Sequence, residues 1–258
     1  MNNTLLVGDC IATGFNCLMH EIIQEETVVM SDLQRISKFE QQIVKWFLSH
    51  RKNKNKIAFT EIIDEAYAYK RQYEINVAWP GYLKNPIKNL AVFGETYEGM
   101  LIKTKQYIAD YDKPDMIIIT DFTETHHGHY INLNNKEYYV KRDSHLLDKP
   151  QKTWPNDVYN IFKEKVKEEL QYSKTYHFKK HQKELESFID YLTKNNLNHK
   201  LCIFREWTKK IVNVDYIDCV FLTERYITNT KNGEEVDTKT KHQTQKLIAN
   251  YIEEKIFQ

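Results

Sequence analysis

Glycine and proline are scarce in this chain, seven and five in 258 residues, and there are only four cysteines. So few backbone breakers exclude a low-complexity or fibrous chain and suit a helix-rich globular protein. Cys10, Cys17, Cys202 and Cys219 show no C-x-x-C spacing, which makes a reducing, cytoplasmic setting the expectation. Neither sign of charge prevails: 37 basic against 36 acidic side chains leave +1, so no global field draws the protein onto nucleic acid or an anionic membrane. A local basic patch stays open. No uninterrupted apolar run approaches the roughly 20 residues of a membrane-spanning helix, and the N-terminus lacks the basic segment, apolar core and cleavage site of a signal peptide. The chain is read as soluble, with no membrane partner. There is no internal repeat, and the basic stretch 51–56 reads as a solvated loop.

What is present is an alternation of short apolar runs with helical patterns over one domain, 1–258. Strands are expected over 4–8, 27–30, 89–92, 116–120 and 201–204, with a weaker one over 218–222; most are apolar throughout, as buried parallel strands are. Helical spacing covers 32–49, 60–73, 97–111, 156–170, 181–192 and 243–257. This is an α/β pattern: a parallel sheet with helices on both faces. Alternation in Tyr130-Ile131-Asn132-Leu133 and Tyr138-Tyr139-Val140, around Asn134-Asn135-Lys136, predicts a β-hairpin within an inserted segment, 126–155, placed to form a lid. The first run stops at Gly8-Asp9-Cys10, and a helix-like pattern follows. Such a turn sets its side chain at the sheet's C-terminal edge beside backbone N–H groups, where α/β enzymes hold nucleophiles.

Gly8-Asp9-Cys10, followed by Ile11-Ala12-Thr13-Gly14, resembles the first block of the SGNH (GDSL-type) hydrolases, with Cys in place of Ser. The segment from Asn89 to Thr96, containing Gly94, is similar to the second block, and Lys113-Pro114-Asp115 before an apolar strand is similar to the lead-in to the third. The third block itself departs from the family, with Thr123 standing where an oxyanion-binding Asn would be, and Asp237 and His242 form a loose counterpart of the final Asp-x-x-His. The resemblance implies a three-layer, flavodoxin-like fold and a hydrolase or acyltransferase acting on a small-molecule or acylated substrate, an ester or thioester, with no cofactor. Carried onto these positions, Cys10 is the nucleophile, His242 its base, Asp237 the group that fixes the imidazole, and Gly94 and Thr123 the oxyanion donors. The segment 126–198 has no counterpart in the family pattern.

Blander readings stand beside these. Cys10 is equally a small buried hydrophobe, His242 a solvated residue at a helix start, Gly94 a turn requirement, and Thr123 with Glu124 a helix cap and first turn. His126, His127 and His129 crowd the end of the strand over 116–120, near Asp121 and Glu124. Adjacent histidines on a strand point to opposite faces, so the spacing is poor for one metal ion. The expectation is no metal, with Asp9, Asp121, Glu124, His126 and His127 lining the substrate cleft. Two other functions stay open: a binding module that keeps the fold without chemistry, and a viral nucleotide- or DNA-processing protein in the host cytoplasm. The second rests on residue usage typical of an AT-rich genome, on the histidine-rich loop, and on Tyr67, Tyr69, Tyr73, Trp79 and Tyr82 near Lys70, Arg71 and Lys84, a mixture able to stack bases or, equally simply, to form an amphipathic lid over the cleft. Near-zero net charge counts against nucleic acid. Oligomeric state is not legible.

Overall fold

The structure is a computed structural model that describes residues 3–13, 43–45, 47–48, 59–148, 150, 154–224 and 242–257. The strand expected over 27–30 and most of the helix over 32–49 lie outside the described residues, although 43–45 and 47–48 are helical. The described chain runs β1 (Thr4–Val7), α1 (Cys10–Thr13), α2 (Phe59–Val77), a 3-10 turn (Trp79–Tyr82), β2 (Ile87–Asn89), α3 (Tyr97–Asp110), β3 (Met116–Thr120), β4 (His126–Leu133) and β5 (Lys136–Asp143). It continues through α4 (Asn156–Glu169), α5 (Lys174–Lys194), β6 (His199–Ile203), α6 (Glu206–Lys209), β7 (Tyr216–Asp218), α7 (Val220–Glu224) and α8 (His242–Ile256).

Among the described residues, five strands form one parallel sheet in the order β2-β1-β3-β6-β7. Its central strands are apolar at consecutive positions because both faces are covered. Leu5, Val7, Ile117, Ile119, Leu201 and Ile203 face one way, against α3 and α5 through Tyr97, Met100, Leu185 and Phe188. Leu6, Ile118 and Cys202 face the other way, against Ile11, Ala12, Trp79 and the α8 residues Ile248, Ala249 and Ile252. Each such aliphatic or aromatic side chain, moved wholly out of water, contributes about 1.5–3 kcal/mol before entropy is counted. Trp79 is fully buried and its backbone N–H donates to Gln245 Oε1 (2.6 Å), so it is packed in the core and unavailable for base stacking. The antiparallel β4–β5 hairpin forms a separate two-stranded sheet, packed on α4 through Ile131, Val140, Val158 and Phe162. No helix among the described residues is long and apolar enough to cross a membrane.

β1 and β6 lie within one or two residues of expectation, whereas β2 and β7 end three and four residues early, and a polar side chain explains each of those. β2 ends at Asn89, whose Oδ1 accepts the Ala91 N–H (2.9 Å) and whose Nδ2 donates to Ala12 C=O (2.9 Å). The following residues still track β1, through Leu90 N–H to Leu6 C=O and Val92 N–H to Gly8 C=O. β7 ends at Asp218, whose Oδ1 accepts the Val220 N–H (3.0 Å), so 220–224 is a helix. α5 starts seven residues before its apolar pattern begins because Ser173 caps it, accepting the Tyr176 N–H.

Gly8 sits directly across from Thr120, in line with the Val7–Ile119 pair of the β1–β3 ladder. A Cβ built on Gly8 lies 2.0 Å from Thr120 Oγ1 and 3.1 Å from Thr120 Cβ, so rotating the hydroxyl does not clear it. Gly8→Ala is expected to destabilise by about 1–3 kcal/mol, as overpacked cores do, and Thr120→Ala in the same chain to recover part of that loss. Denaturant midpoints of the two single variants and the double variant check this; strict additivity would contradict the contact.

Candidate active site

The sheet order reverses between β1 and β3: the chain moves outward from β1 to β2, then crosses back over β1 to β3. Crevices in open α/β sheets form outside the strands' C-terminal ends at such a reversal. The segments there are Gly8-Asp9-Cys10 after β1, the Phe93-Gly94-Glu95 turn beyond β2, and Asp121-Phe122-Thr123 after β3. Gly94 has φ +76, a left-handed conformation that a residue without Cβ takes at little cost.

Asp9 is fully buried and joins all three segments. Its N–H approaches Thr120 Oγ1 (3.4 Å), its Oδ1 accepts the Gly94 N–H (2.9 Å), and its Oδ2 lies 3.5 Å from His126 Nδ1. His126, also wholly buried, holds its Nδ1 3.2 Å from the Glu95 carbonyl and its Nε2 3.2 Å from Asp143 Oδ2. The second approach is an ion-pair distance without hydrogen-bond alignment. The ring stacks on Phe122 at 5.8 Å and meets Phe93 edge-on. Burial pulls the His126 pKa down, but Asp9 and Asp143 together outweigh it and the net shift is upward. The two carboxylates thus favour the charged ring, which pins the hairpin to the end of β1.

The neighbouring acids are also engaged inside the protein. Asp121 accepts the Phe204 N–H (3.1 Å) and the Thr208 hydroxyl (2.8 Å), which fixes the exit of β6. Burial raises its pKa to about 6 against the opposing pull of Arg205 and these hydrogen bonds. Glu95 is buried and shared by Lys103 Nζ (2.5 Å) and Lys141 Nζ. Burial lowers the Lys141 pKa to about 8 although Glu95 opposes it. Thr123 is half-buried, its carbonyl accepting the His126 N–H (3.0 Å), and Glu124 lies at the rim, 3.9 Å from Lys174.

His126 and His127 do not share a cleft: the strand turns them to opposite faces of β4. His127 Nδ1 lies 2.9 Å from Glu169 Oε2, which also meets His129 Nε2 (3.1 Å), while Lys180 Nζ meets Glu169 Oε1 (2.9 Å). Burial raises the Glu169 pKa, but these three partners dominate and hold the carboxyl well below the usual carboxylate range. Neither Asp143 nor Glu169 was singled out from sequence. Among the described residues, no group of three or more His, Cys, Asp or Glu side chains is arranged to hold a metal ion.

Cys10 is the first residue of α1 and His242 the first of α8, but their side chains, and Asp237 altogether, lie outside the described residues. The backbone relates the two helix starts. Glu253, near the end of α8, accepts from Lys84 N–H (3.1 Å) and Asn85 Nδ2 (2.6 Å), just ahead of β2 and so at the N-terminal edge of the sheet. Eleven residues of helix rise about 16 Å from there back to residue 242, and α8 packs on the same face as Ile11 and Ala12. α1 and α8 thus cover the same face of the sheet. A scan against protein-family models finds no match to this chain, and a search of curated proteins finds no significant relative.

Proposed function

We propose that this chain is a hydrolase or acyltransferase of the SGNH (GDSL-type) kind, acting on an ester or thioester through Cys10 on a flavodoxin-like sheet. The observation that carries the reading is the position of Cys10: it opens the first helix directly after β1, where the strand order reverses. Counted over the described strands of the parallel sheet, that order reads 2-1-3-4-5, which supports the flavodoxin-like part of the reading. The packing of α8 on the same face of the sheet as Ile11 and Ala12 supports His242 as the base. In the reaction, His242 takes the thiol proton as Cys10 sulfur bonds to the acyl carbon, and returns it to the departing oxygen or sulfur. Water or a second acceptor then releases the acyl group from Cys10.

One observation favours a second reading, a binding module without chemistry: the Gly94 N–H, an oxyanion donor by resemblance, is taken by Asp9 Oδ1. Site-resolved alkylation by iodoacetamide separates the two. Cys202 and Cys219 are fully buried, and hydrogen bonding to Cys202 followed by burial pushes the Cys219 thiol up, so both stay unmodified in the native protein. Under the enzyme reading, Cys10 reacts about tenfold or more faster than Cys17, and His242→Ala slows Cys10 alone. Slow reaction of Cys10, indifferent to His242→Ala, would overturn it in favour of the binding module.

A further inference from the structure

We infer that the corner between α4 and α5 docks single-stranded nucleic acid: Tyr172 and Tyr176 stack on an unpaired base, and Lys174, Lys179 and Lys183 meet the phosphates. The stretch 170–183 holds four lysines and no Asp or Glu, so the near-zero net charge of the chain conceals a basic segment set against an acidic remainder. This is the local patch that total charge leaves open. It involves neither Cys10 nor the strand-order reversal, and so stands apart from the hydrolase reading.

The case begins with exposure. Leu170, Tyr172 and Tyr176 are 52%, 46% and 42% exposed, three large hydrophobic side chains left in water within seven residues of sequence. Such side chains are normal on a surface when scattered singly; gathered, they mark a surface that meets a partner. The two tyrosine rings stand 4.5 Å apart at 38°, and Tyr176 also meets His177 edge-on at 5.6 Å. Ser173 caps α5 by accepting the Tyr176 N–H, which holds that residue in the first turn. Aromatic faces already fixed in place lose little freedom when a base stacks on them. Glu168 Oε1 accepts the Tyr172 hydroxyl at 3.5 Å, at the rim of the ring rather than over its face.

Charge then selects the partner. The buried side of α5 is His181, Leu185, Phe188 and Leu192, while Tyr176, Lys179 and Lys183 recur at helical spacing on the side away from it, all three exposed. Neither Lys179 nor Lys183 has an ion-pair partner among the described residues, whereas Lys180 is committed to Glu169. Lys174 is 84% exposed and 3.9 Å from Glu124. Ammoniums set beside a stacking platform suit a flexible strand of phosphates and unpaired bases; a duplex hides the base faces that the tyrosines need. An anionic membrane is matched less well. It takes an apolar stripe, and the solvent side of α5 runs on into Glu186 and Asp190.

The test measures fluorescence anisotropy of a labelled oligothymidylate of about 12 nucleotides with the full chain, from about 50 to about 200 mM salt. Saturable binding is expected, with log affinity falling against log salt at a slope of about −2, as three lysine–phosphate contacts on a single strand give. Tyr176→Ala should weaken binding about tenfold, the loss of one stacked base, and Tyr176→Phe should preserve it. Lys179→Ala combined with Lys183→Ala should bring the slope to about −0.7. All three positions are exposed and safe for folding. A duplex of the same length should bind less tightly than the strand. No saturable binding at the lowest salt, affinity unchanged in Tyr176→Ala, or a duplex bound as tightly as the strand would overturn the inference. Without oligonucleotide binding, retention on phosphatidylserine vesicles, or self-association lost in Tyr176→Ala, would also overturn it and give the surface to a membrane or to a second copy of the chain.

Discussion

Replacing His126 with glutamine is expected to lower the stability of the fold by about 3–5 kcal/mol, the range for removing one member of a buried charged set. The loss falls mainly on Asp9. That carboxylate is fully buried, and without the imidazolium its Oδ2 has no counter-charge while Oδ1 keeps only the Gly94 N–H. Asp143 suffers less: its side chain is 12% exposed and it retains the Thr125 hydroxyl at 3.3 Å. The folded-state pKa of His126 is raised. Its contribution is therefore complete below the unfolded value of about 6.5 and is lost as pH climbs through the folded value. Urea unfolding should show the gap between wild type and His126→Gln widest at about pH 5 to 6.5 and shrinking above that. A gap that grew with pH would mean a neutral imidazole at this position. Amide exchange should locate the loosening in the hairpin, because the imidazolium holds β4 and β5 against the end of β1.

The elements that were legible in the sequence are those whose burial is uniform or strictly periodic. The 116–120 strand appears at its expected residues because Ile117, Ile118 and Ile119 are buried on both faces, leaving no polar position to blur its ends. The hairpin was legible through alternation and through its turn, since Asn134 and Asn135 take φ of 54° and 61°, the pair a two-residue type I′ turn requires. Strand ends at Asn89 and Asp218 were not, because a side chain bonding to its own backbone leaves no trace in hydrophobic period. Within the site, the Gly8-Asp9-Cys10 turn and the divergence of His126 from His127 follow from local pattern. The partners of those histidines do not. Asp143 meets His126 through the register of the hairpin, and Glu169 meets His127 through the docking of α4, 42 residues further along the chain. Such pairings are decided by tertiary packing.

Glu95→Gln should be nearly as damaging as loss of His126, again about 3–5 kcal/mol, and its pH dependence runs the opposite way. Lys103 and Lys141 both reach Glu95 Oε2, and the carboxylate is 1% exposed, so neutralising it leaves two ammoniums facing one another with little water. Glycine at position 99 makes this arrangement possible: a Cβ there would lie 1.9 Å from Glu95 Oε1, where the carboxylate lies against the first turn of α3. In the wild type Lys141 titrates at about 8, below the unfolded lysine value of about 10.4. Between those values the unfolded chain holds the extra proton, so stability rises with pH across that window. Without the attraction of Glu95, Lys141 falls further and the window opens at lower pH, so Glu95→Gln should regain stability between about pH 7 and 9. Lys141→Met separates this from mere loss of packing. It removes the buried ammonium but keeps the Glu95–Lys103 pair, and is expected to change stability by no more than about 1 kcal/mol. Chemical denaturation of the two variants across that pH range checks both halves. If Lys141→Met were as harmful as Glu95→Gln, the lysine's packing rather than its charge would hold the turn that presents Gly94 to Asp9.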